Sequence, residues 1–362
     1  MKDIYQALTQ LFADGRHSVL ATIITQGGPS PRGIGAKCLI VEEGLFAGTI
    51  GGGRLEAETI EEAKKVFHTN LPLRLKFSLK GTDVAGSDML CGGEVEVFLE
   101  LVTPESQSYL SISKEVMKIH NRGGAGILAT AIDQESWYSG QVPKLFLGKD
   151  GQRIGSIPGG EKLETALLER MKQVLDARKP EIISLRANGN DVEIFVEPII
   201  SNPVLFVFGG GHVSKEIVPL ASRVDFQVVV VDDREEFAHA SLFPDATEVY
   251  QLPFEGVMDR LPVDESSYLV IVTRGHMHDK TVLAQSLKTK AKYIGMIGSR
   301  RKRAIVYESL LEEGFTQEDL SRVHAPIGID IGAETPAEIA VSIVAELIKA
   351  RAGVTPQGKS ST

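Results

Sequence analysis

The chain has 362 residues, 43% hydrophobic and 24% charged, an ordinary globular mixture that excludes a disordered tail protein, a collagen and a coiled coil. Lysine and arginine number 39 against 48 acidic residues, a net charge of −9, which gives no general attraction to nucleic acid. No apolar run reaches the roughly 18 residues of a membrane span. The only two cysteines, Cys38 and Cys91, exclude a disulfide scaffold and a four-cysteine metal site, and a reducing cytoplasm is the expected setting.

The N-terminal stretch, residues 1–13, mixes Lys2, Asp3 and Gln6 into its apolar positions and predicts an amphipathic helix rather than a signal peptide. The first 200 residues then hold a faint duplication. Ser18–Ile24 resembles Gly126–Ile132, and Gly48–Glu56 resembles Gly155–Glu164. Leu75–Leu79 resembles Glu181–Leu185, and Glu94–Glu100 resembles Asp191–Glu197. Each copy, about 1–104 and 109–202, reads strand, strand, glycine turn, helix, strand, strand. The pair forms an expected α+β domain over residues 1–202.

Copy one carries three loops that copy two lacks: Gly27–Lys37, Gly51–Gly53 and the extra segment Thr82–Gly93. Three glycines ahead of a helix, Gly51, Gly52 and Gly53, can turn bare backbone N–H groups toward an anion. Arg54 opens that helix, and Arg32 and Lys37 flank the other loop, so all three can add positive charge. The plainer alternative is that the glycines only make tight turns. Cys91, between Met89–Leu90 and Gly92–Gly93, reads either as an accessible thiol or as a small core residue. Cys38 sits in a strand pattern and reads as buried filler.

From Pro203 the pattern changes to a second expected domain, residues 203–352, followed by a loose polar tail, 353–362. Pro203–Phe208 is a continuous apolar strand, as in a buried parallel sheet. It is followed by Gly209, Gly210, Gly211 and His212, a helical stretch, a second apolar strand, Gln227–Val231, and Asp232. This order is the Rossmann fingerprint, with Ser214 in the third glycine position and Asp232 where an acid binds ribose hydroxyls. Further strands at Ser267–Thr273, Lys292–Ile297 and near Val323 fit a doubly wound sheet. The last helix is expected to open with a capping box from Thr335 to Glu338. The strand ends also carry His276, His278 and Asp279, which read as weak metal ligands, as acid and base, or as ordinary loop and cap residues. Arg300, after Ser299, is a candidate phosphate contact.

These blocks together resemble the XdhC/CoxI family, the xanthine dehydrogenase accessory proteins. The carriers are Gly27–Lys37, Gly48–Gly53 with Glu56, Cys91–Gly93, Phe208–Val213, Thr273–Asp279, Tyr293–Arg300 and Pro326–Ala333 with Thr335, Pro336 and Glu338. The resemblance implies a non-catalytic chaperone that binds the molybdenum cofactor (molybdopterin) transiently. Such a protein protects it while a sulfurase, a cysteine desulfurase, acts on it, and delivers it to a molybdenum hydroxylase apoenzyme. Many members of the family carry a cysteine after the triple glycine, where this chain has Arg54, so Cys91 is the remaining candidate for sulfur chemistry. A cleft between the two halves is the expected shelter, and a homodimer the expected assembly. The alternative is an NAD(P)-dependent oxidoreductase using Gly209, Gly211 and Asp232 with His276 or His278 as proton donor, or a nucleotide-sensing protein that binds partners.

Overall fold

The first helix, α1 (Ile4–Ala13), buries Tyr5, Ala7, Leu8, Leu11 and Phe12, the one-sided spacing that an amphipathic helix requires. A computed structural model of the chain describes residues 4–78, 93–134, 137, 141–187 and 190–353. It divides the chain into two units, Met1–Ser201 and Asn202–Thr362.

In the first unit α1 leads into β1 (Ser18–Gly27), β2 (Lys37–Val41), β3 (Gly44–Gly48), α2 (Gly53–Thr69), β4 (Leu73–Ser78) and β5 (Glu94–Val102). The same succession then repeats as α3 (Gln107–Arg122), β6 (Ala125–Ala131), β7 (Lys144–Gly148), β8 (Arg153–Ser156), α4 (Gly160–Ala177), β9 (Glu181–Ala187) and β10 (Asn190–Ile200). Among the described residues each set forms a five-stranded antiparallel sheet, in the orders β3-β2-β1-β5-β4 and β8-β7-β6-β10-β9. The two orders are identical position by position. The expected copies lacked two features: the short edge strands β3 and β8, and helix α3. The edge strands are short and partly exposed, so they leave little hydrophobic pattern to read.

One face of each sheet is covered by its own helix. Leu55, Ala63 and Val66 of α2 pack on Val19, Ala21, Val95 and Val97, and Leu163, Leu167, Met171 and Val174 of α4 on Ile127, Ala129, Ile194 and Val196. The side chains of the opposite faces meet. Ile24, Phe98, Ile132 and Phe195 form one buried cluster drawn from both sheets. Three charged ties cross the same seam. Lys37 pairs with Glu197, Lys144 with Glu100 at 2.8 Å, and Arg74 reaches Glu96 at 2.9 Å and Glu193 at 2.5 Å. The Lys144–Glu100 pair is buried and the Lys37–Glu197 pair nearly so, and Lys144 also donates to Thr130 Oγ1 at 3.0 Å.

The second unit contains β11 (Val204–Phe208), α5 (His212–Arg223), β12 (Gln227–Asp232), β13 (Glu248–Gln251), β14 (Tyr268–Ile271), α6 (Gly275–Ser286), β15 (Tyr293–Met296), α7 (Arg300–Glu312), α8 (Gln317–Ser321), β16 (Val323–His324) and α9 (Pro336–Arg351). Its six strands are all parallel in the order β13-β12-β11-β14-β15-β16. This is the doubly wound order 3-2-1-4-5-6. Apolar clusters on both faces explain why β11 and β12 read as unbroken apolar runs. Helix α9 starts with the expected capping box: Thr335 and Glu338 satisfy each other's backbone N–H, with Pro336 in the first turn.

Candidate functional site

Helix α2 begins at a turn whose glycines have φ of +131°, +71° and +58° at Gly51, Gly52 and Gly53, a run that residues with a Cβ rarely adopt. Two further loops meet this turn. A Cβ on Gly51 would lie 2.8 Å from Pro31 and 3.8 Å from the Arg32 amide, so the Gly27–Lys37 loop sits directly on the triple glycine. A Cβ on Gly93, just before β5, would lie 2.8 Å from the Gly27 carbonyl and also strike that of Pro29. The loops singled out in the sequence therefore converge at one end of the first sheet. Cys91 itself lies outside the described residues.

The amides of this corner already have an acceptor. One oxygen of Glu56 takes the Thr49 hydroxyl at 2.7 Å and the N–H groups of Ile50 at 3.2 Å and Gly52 at 3.4 Å. Glu56 stands in the first turn of α2, where a carboxylate also favours the helix dipole. Arg54 is exposed and pairs with Glu58 one turn on, and Arg32 is exposed on its loop. Lys37 is not part of this surface. Its stem opens β2 facing the second sheet, and its ammonium is buried against Glu197. Cys38 is wholly buried, and burial, helped by the nearby Glu56 charge, pushes its thiol up to about 12, so it stays protonated and inert.

In the second unit the topological switch point lies between the ends of β11 and β14, where such sheets bind ligands. Here the first two glycines of the turn pack against neighbouring backbone. A Cβ on Gly209 would lie 2.5 Å from the Val272 carbonyl, and one on Gly210 would strike the carbonyl of Phe237. Asp232, placed by the sequence where an acid binds a ribose, has its carboxylate engaged within its own turn. It accepts the Gly210 N–H at 2.7 Å and the Arg234 N–H and guanidinium at 3.0 Å, and its side chain is 1% exposed. Burial alone would raise its pKa. The Arg234 guanidinium and the two amides more than offset that and hold the carboxyl below its ordinary value. Arg234 in turn lies 3.6 Å over the Phe237 ring. Gly211 has open space around it, and His212 is exposed.

The histidine loop is likewise dispersed. Asp279 is buried, accepts the Thr273 hydroxyl at 2.5 Å and pairs with Lys302 of α7. Burial raises its pKa against the pull of those partners. His278 packs against Phe254 with tilted rings, centroids 5.4 Å apart, while His276 is exposed beside a groove of about 390 Å³ with Ser299 and Arg301. Among the described residues no group of three His, Cys, Asp or Glu side chains could hold a metal. Arg300 is exposed in the first turn of α7, where Ser299 caps the helix on Lys302 N–H at 3.2 Å.

Three carboxylates on glycine-turn amides escaped the sequence reading as site features: Glu56, Asp232 in this role, and Glu346. Glu346 takes Gly328 N–H at 2.6 Å, the Tyr293 hydroxyl at 2.7 Å and His324 at 2.9 Å. The available signal was an acid within one helical turn of a glycine turn, visible for Glu56 alone.

Residues 205–347 match the XdhC Rossmann domain, and residues 11–78 match the XdhC and CoxI family. The chain is 28% identical to the uncharacterized protein YqeB of Escherichia coli over 67% of its length, but spans only 46% of that protein. It is 25% identical to a probable xanthine dehydrogenase component of Bacillus subtilis, covering 97% of this chain and 98% of that one. It is 19% identical to the molybdenum cofactor insertion chaperone PaoD of Escherichia coli, over 97% and 88% of the two chains. The crystal structure of a xanthine dehydrogenase from Bacillus halodurans superposes with a TM-score of 0.79 at 25% identity, covering 99% and 98%. Matches in both units and relatives along nearly the whole length agree, and the chain belongs to the XdhC/CoxI family.

Proposed function

We propose that this protein is an accessory factor of a molybdenum hydroxylase. It binds the molybdenum cofactor, shields it during sulfuration by a cysteine desulfurase, and hands it to the apoenzyme. The observation that carries this reading is the convergence of the Gly27–Lys37, Gly51–Gly53 and Gly93 loops at one end of the first sheet, with Arg32 and Arg54 exposed there. Glycine backbones allow close approach of a phosphorylated pterin, and the two arginines supply planar donor forks for its phosphate. The name of PaoD, a relative along nearly the full chain, supports the same cargo. The Gly210 N–H is already taken by Asp232, which weighs against NAD(P)-dependent hydride transfer. We assign the protein to the cytoplasm, as a homodimer.

The test is to purify the full chain from cells that make molybdopterin, oxidise the sample and read pterin fluorescence. Bound pterin is expected, and Arg32→Ala with Arg54→Ala should lower its amount severalfold at unchanged thermal stability. A folded protein without pterin, together with normal hydroxylase activity in a deletion strain, would falsify the reading.

A further inference from the structure

Helix α9 packs on the second unit with one face and turns another outward. Ala340, Ile343, Val344 and Leu347 are buried in the core. At about 100° per residue, Ala337, Val341, Ala345 and Ile348 fall within about 80° of one another and form a separate apolar stripe. Val341 is 50% exposed and Ile348 38%. The loop before α9 runs beside this stripe. The Ile329 N–H reaches the Ser342 carbonyl at 3.2 Å, and the Ser342 hydroxyl donates to the Ile329 carbonyl at 2.5 Å. Ile329 and Ile331 of that loop are exposed as well. Single exposed apolar side chains are ordinary, whereas a group of them marks an interaction surface.

The stripe carries opposite charge at its two ends. Glu338 stands in the first turn of α9 and Lys349 in the last, and the same angular count puts both on one flank of the stripe. Asp330 and Glu334 add exposed acids at the first end. Arg223, exposed in the last turn of α5, adds a base at the other, where Arg351 donates to the Val224 carbonyl at 2.6 Å and ties the two helix ends together. A surface that is acidic at one end, basic at the other and apolar between complements itself when turned end for end.

We propose that α9 is the contact between two copies of this chain, packed antiparallel about a two-fold axis beside Ala345. Val341 of one copy then meets Ile348 of the other and Glu338 meets Lys349, each contact being made twice. The small side chains of Ala337 and Ala345 let the two backbones approach. Ile329 and Ile331 extend the apolar area beyond a single helix pair, toward the size that a stable dimer needs. The proposal rests on the homodimer reading, gives it an interface, and draws nothing from the cofactor.

Sedimentation velocity of the full chain over a concentration series tests it. The parent should sediment as a dimer. Val341→Glu, at an exposed position, sets a carboxylate from each copy into the apolar centre and should leave a monomer of unchanged helix content. Glu338→Lys and Lys349→Glu each oppose like charges twice and should each weaken association about tenfold or more. An equimolar mixture of those two should regain it, because both mixed contacts then pair opposite charges. Glu338→Lys also gives up the α9 cap, so circular dichroism checks its helix content, and Val341→Glu, which leaves the cap whole, decides if it has unfolded. A parent that stays monomeric overturns the proposal together with the homodimer reading. A dimer that persists in Val341→Glu, or folded charge variants that lose nothing or regain nothing on mixing, overturns this interface and leaves the homodimer reading standing.

Discussion

Lys144 of the second sheet meets Glu100 of the first at 2.8 Å, and Lys37 of the first meets Glu197 of the second. The lysines open equivalent strands, β2 and β7, and the glutamates lie on equivalent strands, β5 and β10. The seam is therefore held by one ionic contact made twice in opposite directions. Each pair lies beside an aromatic ring, with Lys144 5.1 Å from the Tyr109 centroid and Lys37 5.8 Å from that of Phe195.

Removing one partner of such a pair leaves a charge buried without compensation. Lys144→Met is expected to destabilise the full chain by about 3–5 kcal/mol, whereas the double change with Glu100→Leu recovers most of that loss. Urea unfolding of both variants measures it. Equal stability of the single variant and the parent would show that the pair carries no weight.

The glycine turn of the second unit separates packing from ligand approach. Gly210→Ala drives a Cβ into the Phe237 carbonyl and is expected to cost about 1–3 kcal/mol, while Gly211→Ala meets nothing within 4 Å and should be close to neutral. A thermal shift of several degrees for the first alone is the expected outcome. Equal shifts for the two would show that the Phe237 contact carries no weight.

Glu56 holds three donors of the glycine corner. Glu56→Ala should therefore loosen the turn before α2, destabilise by about 1–3 kcal/mol and lower retained pterin, because the loop that presents Arg54 loses its brace. Glu56→Gln keeps an acceptor oxygen and should retain most of both. Hydrogen exchange at Ile50 and Gly52 reads the loosening directly.

Acid should weaken the second unit in a definite window. Asp232 and Glu346 both have carboxyls below their ordinary values; in each, burial opposes the charge and hydrogen-bonded partners outweigh it. A depressed folded-state pKa stabilises fully above the unfolded value, roughly 4, and that gain disappears as pH falls through the folded value. The urea midpoint is expected to drop steeply below about pH 4, and Asp232→Asn should flatten that slope. A slope unchanged by the substitution would remove Asp232 from the account.

The parallel sheet was legible because β11, β12 and β14 are covered on both faces, which leaves unbroken apolar runs that no surface strand carries. The capping box at Thr335 was legible because it is local. The pairing of Lys37 was not legible: it follows a glycine loop, the setting of an anion-binding cation, and its partner Glu197 is distant in sequence and reached only through the sheet-to-sheet seam. The partners of Asp232 were hidden for another reason. An acid at the end of the second strand fits a ribose or its own glycine turn equally well, and Arg234 and Phe237 decide between them only once the chain has folded back.

The matched strand orders of the first unit have a consequence for how such a surface can specialise. In an assembly of two separate identical chains, any change to a loop is made twice, at both ends of the axis. Here both halves are in one covalent strand, so one end could acquire proline, arginine and a glycine ladder while the opposite end kept plainer loops. Fusion has given a symmetric architecture permission to be lopsided.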